Sequence, residues 1–490
     1  MSHAAIMIAG YDPGYLRITE FHVRRELATG RVPFVIDATA ISGAGVDSFD
    51  RPTLKRFGLD YPGHDLRSRM AALGVEVLDL PTYLDANWKQ PLDTEHEEVL
   101  AIAVQSALIT YFRTDLPDRG RRLVKKTAEN LTHEGRGVYR GFRAIFAADP
   151  DITIAYVPNG RFPHQKMAYV AASDAGLAML HFEKGETANG SYLQDHAPQN
   201  RLATQGAVEP LLAHLSTAEV DTVADSWLSR RAPSADSSNE FAALWAKDLP
   251  EELRHLSSGG RKVAGFFTSS QDEFQFLGPE WQLHEWKDQF AAFHAVLLQL
   301  EQQGYTCYLR VHPNLATKAQ DCFERERAGI RWLAEQHPDL LVIWHDDLAN
   351  TYSLLDITDA VVVWDSTVGL EASARGLPVW TMATSRYGLV ADLHEVLSQQ
   401  QLETDGVTAW TVNAHAAKRF IAYLVLRDAQ MDPDFQTWIP WDESNPPLGA
   451  KVAGALAAGG IPYPSEAVKS QLDVYRHRSL KSNLRHLRGH

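Results

Sequence analysis

The chain has 490 residues, of which 45% are hydrophobic and 22% charged, and its formal net charge is −15. That length predicts two domains rather than one core, and the acidity excludes nucleic acid as a bulk partner. Only two cysteines occur, Cys307 and Cys322. They exclude a disulfide framework and a cysteine-based metal site and fit a reducing compartment, so the expected location is cytoplasmic. No apolar run reaches the roughly 18 residues that span a bilayer.

In chain order, Met1 to Gly10 is apolar without a basic flank, and reads as a first strand rather than a signal peptide. Thr19 to Leu27 is helical in pattern and Val32 to Asp37 is a second strand, which makes a βαβ opening. A short strand at Val75 to Leu78 precedes helical stretches over 97–112 and 118–147. The strand Ile152 to Val157 ends in the turn Pro158-Asn159-Gly160-Arg161. A helix over 165–175 and a strand from Ala178 to Glu183 follow. Residues 204–258 are helical and polar, with a Ser/Asn/Asp-rich linker at 234–239.

A second βα series starts at Lys262. Its strands are VAGFF, Thr306 to Val311, Leu340 to Trp344, Asp359 to Trp364 and Val379 to Met382. Each ends in polar residues, where ligands bind in open α/β sheets. The predicted fold is therefore α/β: two Rossmann-like domains with parallel sheets facing a central cleft, the GT-B arrangement, plus C-terminal helices. The boundaries expected are 1–250 for a first Rossmann-like domain, 251–425 for a second, and 426–490 for an irregular, helical extension packing back on the first. The last sixteen residues carry five Lys/Arg and no acid, with Leu480, Leu484 and Leu487 on one helical face. That segment, 475–490, reads either as a frayed or docked C-terminal helix or as a weak electrostatic contact with an anionic membrane surface or a partner protein.

The densest chemistry lies in VVVWDSTVGLEASARGLPV, residues 361–379. A buried strand runs into Asp365-Ser366-Thr367, which has helix N-cap chemistry. Hydroxyls and free N–H groups then meet at a helix N-terminus, a ready phosphate site. Glu371, one turn on, is expected to accept hydrogen bonds from ribose hydroxyls. Ser269 and Ser270 end the first strand of the second series and allow close approach of phosphate. His312 precedes Pro313, so its backbone is pushed into an extended turn, and Arg310 on the same strand face adds charge. Asp346-Asp347 lacks diagnostic metal spacing, so no metal and no organic cofactor is expected.

The segments FFTSSQDEF (266–274), RVHPN (310–314) and WDSTVGLEASARGLP (364–378) resemble the donor-binding half of bacterial capsule polysaccharide glycosyltransferases, among them Kdo transferases. More distantly they resemble His-Pro sialyltransferases and teichoic-acid polymerases. The resemblance spans about residues 262–390. It implies a nucleotide-sugar donor, with a CMP-ulosonic acid favoured and UDP- or GDP-hexose left open, and a carbohydrate or glycolipid acceptor. It also implies that His312 contacts the nucleotide phosphate and that Tyr352 lines the base pocket. Asn159-Gly160-Arg161 resembles a segment of surface-polysaccharide transferases, and Arg161 is expected to bind an anionic group. The catalytic base is expected from the first domain: Asp12 in the loop after the first strand, then Glu183, then His64 or Asp65. Asp272 and Glu273 are weaker catalytic candidates that also suit a helix cap. Two rival readings share the fold, a UDP-sugar 2-epimerase and a non-catalytic assembly scaffold.

Overall fold

The computed structural model describes residues 2–9, 13–39, 41, 62–186, 190–231, 260–270, 276–347 and 349–431, with Leu249, Leu253, His255 and Leu256. The chain divides into two compact units. The first comprises 1–184, 189–198 and 430–490, and the second 185–188 and 199–429. The division falls near residue 198 rather than at the expected 250. Helix Thr217–Arg231 explains this: its Val220, Ala224 and Trp227 share a core with Phe420, Ile421 and Leu424 of helix Ala414–Leu426, so it belongs with the second unit. The basic segment 475–490 lies outside the described residues.

In the first unit the strands are β1 His3–Ile8, β2 Val32–Asp37, β3 Val77–Asp79, β4 Ile152–Pro158, β5 Ala178–Lys184 and β6 Gly190–Gln194. Within their seven-stranded sheet these six are ordered β6-β5-β4-β1-β2-β3. β1 pairs in parallel with both β2 and β4, whereas β6 runs antiparallel against β5. The central strands β1, β2 and β4 are largely apolar because both faces are covered. Ala5 and Met7 pack into the layer of helices Thr94–Phe112, Arg122–Ala148 and Pro163–Asp174. Ala4, Ile6 and Ile8 pack into the layer of helix Pro13–Ala28. That alternation is the period of two that a strand imposes. Helix Pro13–Ala28 starts six residues before the expected Thr19, and β6 has no counterpart in the sequence reading.

In the second unit β7 Val263–Phe267, β8 Thr306–Arg310, β9 Leu341–Ile343, β10 Ala360–Val363, β11 Val379–Thr381 and β12 His394–Glu395 are ordered β12-β11-β10-β7-β8-β9. All neighbouring pairs run in parallel. On β10, Ala360 and Val362 face the layer of helix Gln289–Gln302, while Val361 and Val363 face Leu354, Leu355 and Ala372. Each such buried Val contributes about 1.5–3 kcal/mol. Helix Gln289–Gln302 begins after the expected Trp286, because Asp288 caps it while the Trp286 indole donates to the Val396 carbonyl at 2.8 Å. A further helix, Gln320–Gln336, separates β8 from β9.

Both sheets have the strand order of doubly wound nucleotide-binding folds. In each, the chain leaves the first strand in one direction and later crosses to its other side. The switch points lie between β1 and β4 and between β7 and β10, and ligands of such sheets bind outside the carboxyl ends of the strands there.

Candidate functional site

Hydroxyl groups lock the three central strand ends of the second unit together. β7 continues as Thr268-Ser269-Ser270, β8 as Val311-His312, and β10 as Trp364-Asp365-Ser366. The Asp365 N–H donates to Ser269 Oγ at 3.3 Å, across the switch point. The His312 N–H donates to Thr268 Oγ1 at 2.8 Å. Gln289, fully buried, holds the Ser269 peptide by accepting its N–H at 3.0 Å and donating to its carbonyl at 3.4 Å. Thus Ser269, Ser270, His312, Ser366 and Thr367, expected on sequence grounds, stand on neighbouring strand ends.

Ser366 caps helix Thr367–Ala374, its Oγ accepting the Val368 N–H at 3.3 Å, and exposed Thr367 opens the first turn. Ser270 is 3% exposed, and its Oγ has no hydrogen-bond partner among the described residues. A buried hydroxyl without a partner costs about 1–3 kcal/mol, which a ligand oxygen or water would recover. His312 caps the turn Pro313–Thr317 through Nδ1, which accepts the Asn314 N–H at 3.1 Å. An accepting Nδ1 leaves the ring proton of the neutral imidazole on Nε2, as a donor.

Three expected binding residues are held by partners within the protein. The Glu371 carboxylate is 2% exposed and accepts from Arg231 Nε at 3.0 Å. Tyr352 is hydrogen-bonded to the same pair. Burial pushes the Tyr352 hydroxyl and the Glu371 carboxyl up, with Arg231 opposing both. Glu371, Tyr352 and Arg231 thus form one buried cluster. Arg310, also buried, donates to the Trp344 carbonyl at 2.5 Å and the Asp347 carbonyl at 3.0 Å. It staples the loop after β9 instead of adding charge beside His312. Within that loop Asp347 Oδ1 accepts the Ala349 N–H at 2.8 Å. Among the described residues no three His, Cys, Asp or Glu side chains are grouped to hold a metal.

One cation at this edge escaped the sequence reading. Arg386 follows β11 in a loop pinned on every side. The Tyr387 hydroxyl donates to the Ser366 carbonyl, Arg201 Nε to the Ser385 carbonyl at 2.6 Å, and Gln205 Nε2 to the Arg386 carbonyl at 2.7 Å. The Arg386 guanidinium is half-buried and makes no hydrogen bond or ion pair among the described residues. The anchors come from distant residues, so no local motif announces it.

In the first unit a cavity of about 40 Å³ lies at the β1/β4 switch point, bordered by Ala9, Tyr15, Asn159, Phe162, Gln165 and Phe182. The Glu183 carboxylate accepts from the Tyr15 hydroxyl, from Asn159 Nδ2 at 2.6 Å and from the Lys184 N–H at 2.8 Å. Two of its partners thus line the cavity. Asn159 and Gly160 have φ of 53° and 91°. A Cβ on Gly160 would stand 2.8 Å from the His181 ring, so only glycine fits that turn. Arg161 Nε donates to Ser106 Oγ at 2.6 Å, and its guanidinium lies 5.5 Å over the Phe162 ring. Asp12, Asp272 and Glu273 lie outside the described residues, as do the side chains of His64 and Asp65.

Residues 297–424 match the family described as Capsule polysaccharide biosynthesis protein. The match includes RVHPN and WDSTVGLEASARGLP and starts after FFTSSQDEF. A comparison with curated proteins finds no match. Among solved structures, the chain is similar to a beta Kdo 2,4 transferase, KpsC, of Thermosulfurimonas dismutans. Identity there is 14%, coverage 59% of this chain and 88% of that one, and the TM-score 0.35. It is also similar to a glycosyltransferase of Rickettsia africae, at 10% identity, 87% and 93% coverage and a TM-score of 0.29. A third is the UDP-GlcNAc 2-epimerase of Neisseria meningitidis bound to UDP-GlcNAc, at 11%, 83% and 90%, with a TM-score of 0.29. Likeness this weak carries no argument about chemistry, so the strand order and the family match stand as the findings. On that match the chain is similar to capsule polysaccharide biosynthesis proteins over much of its second unit.

Proposed function

We propose that the chain is a GT-B glycosyltransferase of bacterial surface polysaccharide or glycoconjugate assembly. It moves a sugar from a nucleotide-sugar donor to a carbohydrate or glycolipid acceptor. The observation that carries this reading is the set of hydroxyls and the helix N-terminus gathered at the β7/β10 switch point, flanked by the His312 strand end. The phosphate of the donor sits against Ser270, Ser366 and the first N–H groups of helix Thr367–Ala374. The Nε2–H of His312 and the guanidinium of Arg386 meet the charge that develops on the departing nucleotide. A CMP-ulosonic acid is the favoured donor, ahead of UDP- or GDP-hexose. No divalent ion takes part, so transfer continues in chelator. The work is done in the cytoplasm, with the basic segment 475–490 supplying a contact to the membrane or a partner.

The first unit supplies the acceptor-side base, Asp12 with Glu183 behind it, and Arg161 holds an anionic group. Asp12→Asn keeps size and removes basicity, so turnover should fall at least about 100-fold with nucleotide affinity unchanged. Near-normal turnover would remove Asp12 from the role and make Glu183→Gln the next variant to assay.

The primary test is thermal unfolding with CMP, UDP, GDP and CDP. One nucleotide should raise Tm selectively, since a ligand at about 100 times its Kd stabilises by about 2.7 kcal/mol. His312→Ala should weaken that shift and cut kcat/KM by about 1.5–3 kcal/mol in transition-state terms. No shift with any nucleotide would refute the reading. Product formed from donor alone, without acceptor, would move the chain to the epimerase class.

A further inference from the structure

The loop and first turns between helices Thr94–Phe112 and Arg122–Ala148 are charged against the trend of the chain. The whole sequence stands at −15, yet residues 119–126 read Arg-Gly-Arg-Arg-Leu-Val-Lys-Lys, five cations and no acid. All five are exposed. On the helix, Arg122, Lys125 and Lys126 are spaced i, i+3, i+4 and share one face. The opposite face, with Val124, Thr127, Ala128 and Leu131, is buried, so the cationic face is turned to solvent. The first turn contains no acid, and Arg121 at the N-cap makes no side-chain cap bond. The helix N-terminus therefore adds partial positive charge to the same place.

The acids nearby are few. Asp118 Oδ1 accepts the Gly120 N–H at 2.8 Å, Asp115 lies in the same loop, and Glu129 is one turn beyond Lys125. Arg119, held by Gln105, borders an open hollow of about 340 Å³ with Lys125, Glu129, His133 and Arg136. Arg136 is paired with Glu97 at 2.7 Å, which leaves Arg119 and Lys125 to face an anion there. The ammonium groups of Lys125 and Lys126 make no hydrogen bond or ion pair among the described residues. Three residues before Arg119, Leu116 is 63% exposed.

We propose that residues 116–126 dock the first unit on an anionic bilayer surface. The cations meet headgroup phosphates while Leu116 enters the headgroup–acyl boundary. A soluble polyanion would engage the cations but would leave Leu116 in water, and the exposed leucine beside the cationic run is what favours a bilayer. This stretch of sequence is not the basic segment 475–490, and it does not depend on the donor reading.

The test is co-sedimentation of the full chain with phosphatidylcholine vesicles that contain about 30% phosphatidylglycerol, against pure phosphatidylcholine. The chain should sediment with the anionic vesicles only and be released by about 0.5 M sodium chloride. Each surface cation is worth about fivefold in partition, so the combined variant Arg122→Glu, Lys125→Glu, Lys126→Glu should lose at least about 100-fold. Leu116→Ser should lose several-fold on vesicles while its binding to heparin, a lipid-free polyanion, stays unchanged. These positions are exposed, so unfolding midpoints should match the unsubstituted chain and exclude misfolding. Absence of sedimentation with anionic vesicles, or a charge-reversed variant that sediments unchanged, would overturn the proposal. So would a Leu116→Ser variant with unaltered vesicle binding, which would leave a site for soluble polyanions instead.

Discussion

Arg231, Glu371 and Tyr352 show how a residue's surroundings decide its role. A carboxylate one turn into a helix that follows a phosphate-type loop looks like a ribose ligand in sequence. In the fold that carboxylate is buried and paired to a guanidinium 140 positions earlier in the chain. Breaking a buried pair by removing one partner costs more than deleting both, because the remaining charge has no counter-ion. Arg231→Met should therefore destabilise the chain by about 3 kcal/mol, the low end for buried pairs, since Arg231 retains some solvent contact. Adding Glu371→Gln should restore most of the loss. Denaturant midpoints of the two single variants and the double measure this. The same series separates a structural role from the expected ribose contact: weaker nucleotide binding by Glu371→Gln at unchanged stability would support the contact.

At the scale of an element, helix Thr367–Ala374 depends on one glycine. A Cβ on Gly369 would lie 2.5 Å from the Tyr387 hydroxyl oxygen and 3.0 Å from Val363 Cγ2. Both neighbours are buried, so neither can move away freely. Glycine lets the helix sit close against β10 while the Tyr387 hydroxyl reaches the Ser366 carbonyl at the helix cap. Gly369→Ala gains helix propensity, about 1 kcal/mol, but overpacks this contact at about 1–3 kcal/mol. The expected outcome is a lower Tm together with weaker nucleotide stabilisation, because the cap and the 384–387 loop shift together. A variant with wild-type Tm and nucleotide response would show that the close approach is unimportant.

Across the whole molecule, two buried histidines of the first unit contribute to acid sensitivity. His22 packs between Phe21, Tyr156 and Phe182, and His181 stacks on Tyr169. Neither ring nitrogen of either residue has a hydrogen-bond partner among the described residues. Burial pushes both imidazoles down from 6.5 to about 3. Between those values the unfolded chain binds protons that the folded chain refuses, so stability rises with pH in that window. It is fully present above about pH 6.5 and is lost as pH falls toward 3. At pH 5 the loss is about 2 kcal/mol per histidine. His22→Phe should remove about half of what these two histidines contribute, read as a flatter Tm against pH between about 7 and 5. An unchanged profile would place the acid sensitivity elsewhere.

The alternation of strands and helices was legible in the sequence because parallel strands covered on both faces must be apolar throughout, as AAIMI and AVVV are. The hydroxyl and histidine residues at the ends of β7, β8 and β10 were legible for a related reason. A strand's exit and a helix cap are local events, written in adjacent residues such as Asp365-Ser366-Thr367. What local sequence could not settle was where long side chains find their partners. Arg310 reaches carbonyls 34 and 37 residues away, and Glu371 meets an arginine from another helix. The short strand Gly190–Gln194 forms through its pairing with β5, which no local pattern announces. The change of unit near residue 198 was equally hidden, because helix Thr217–Arg231 buries its apolar side against a helix nearly two hundred residues later. Those outcomes depend on which surfaces the folded chain brings together, and only the tertiary structure decides that.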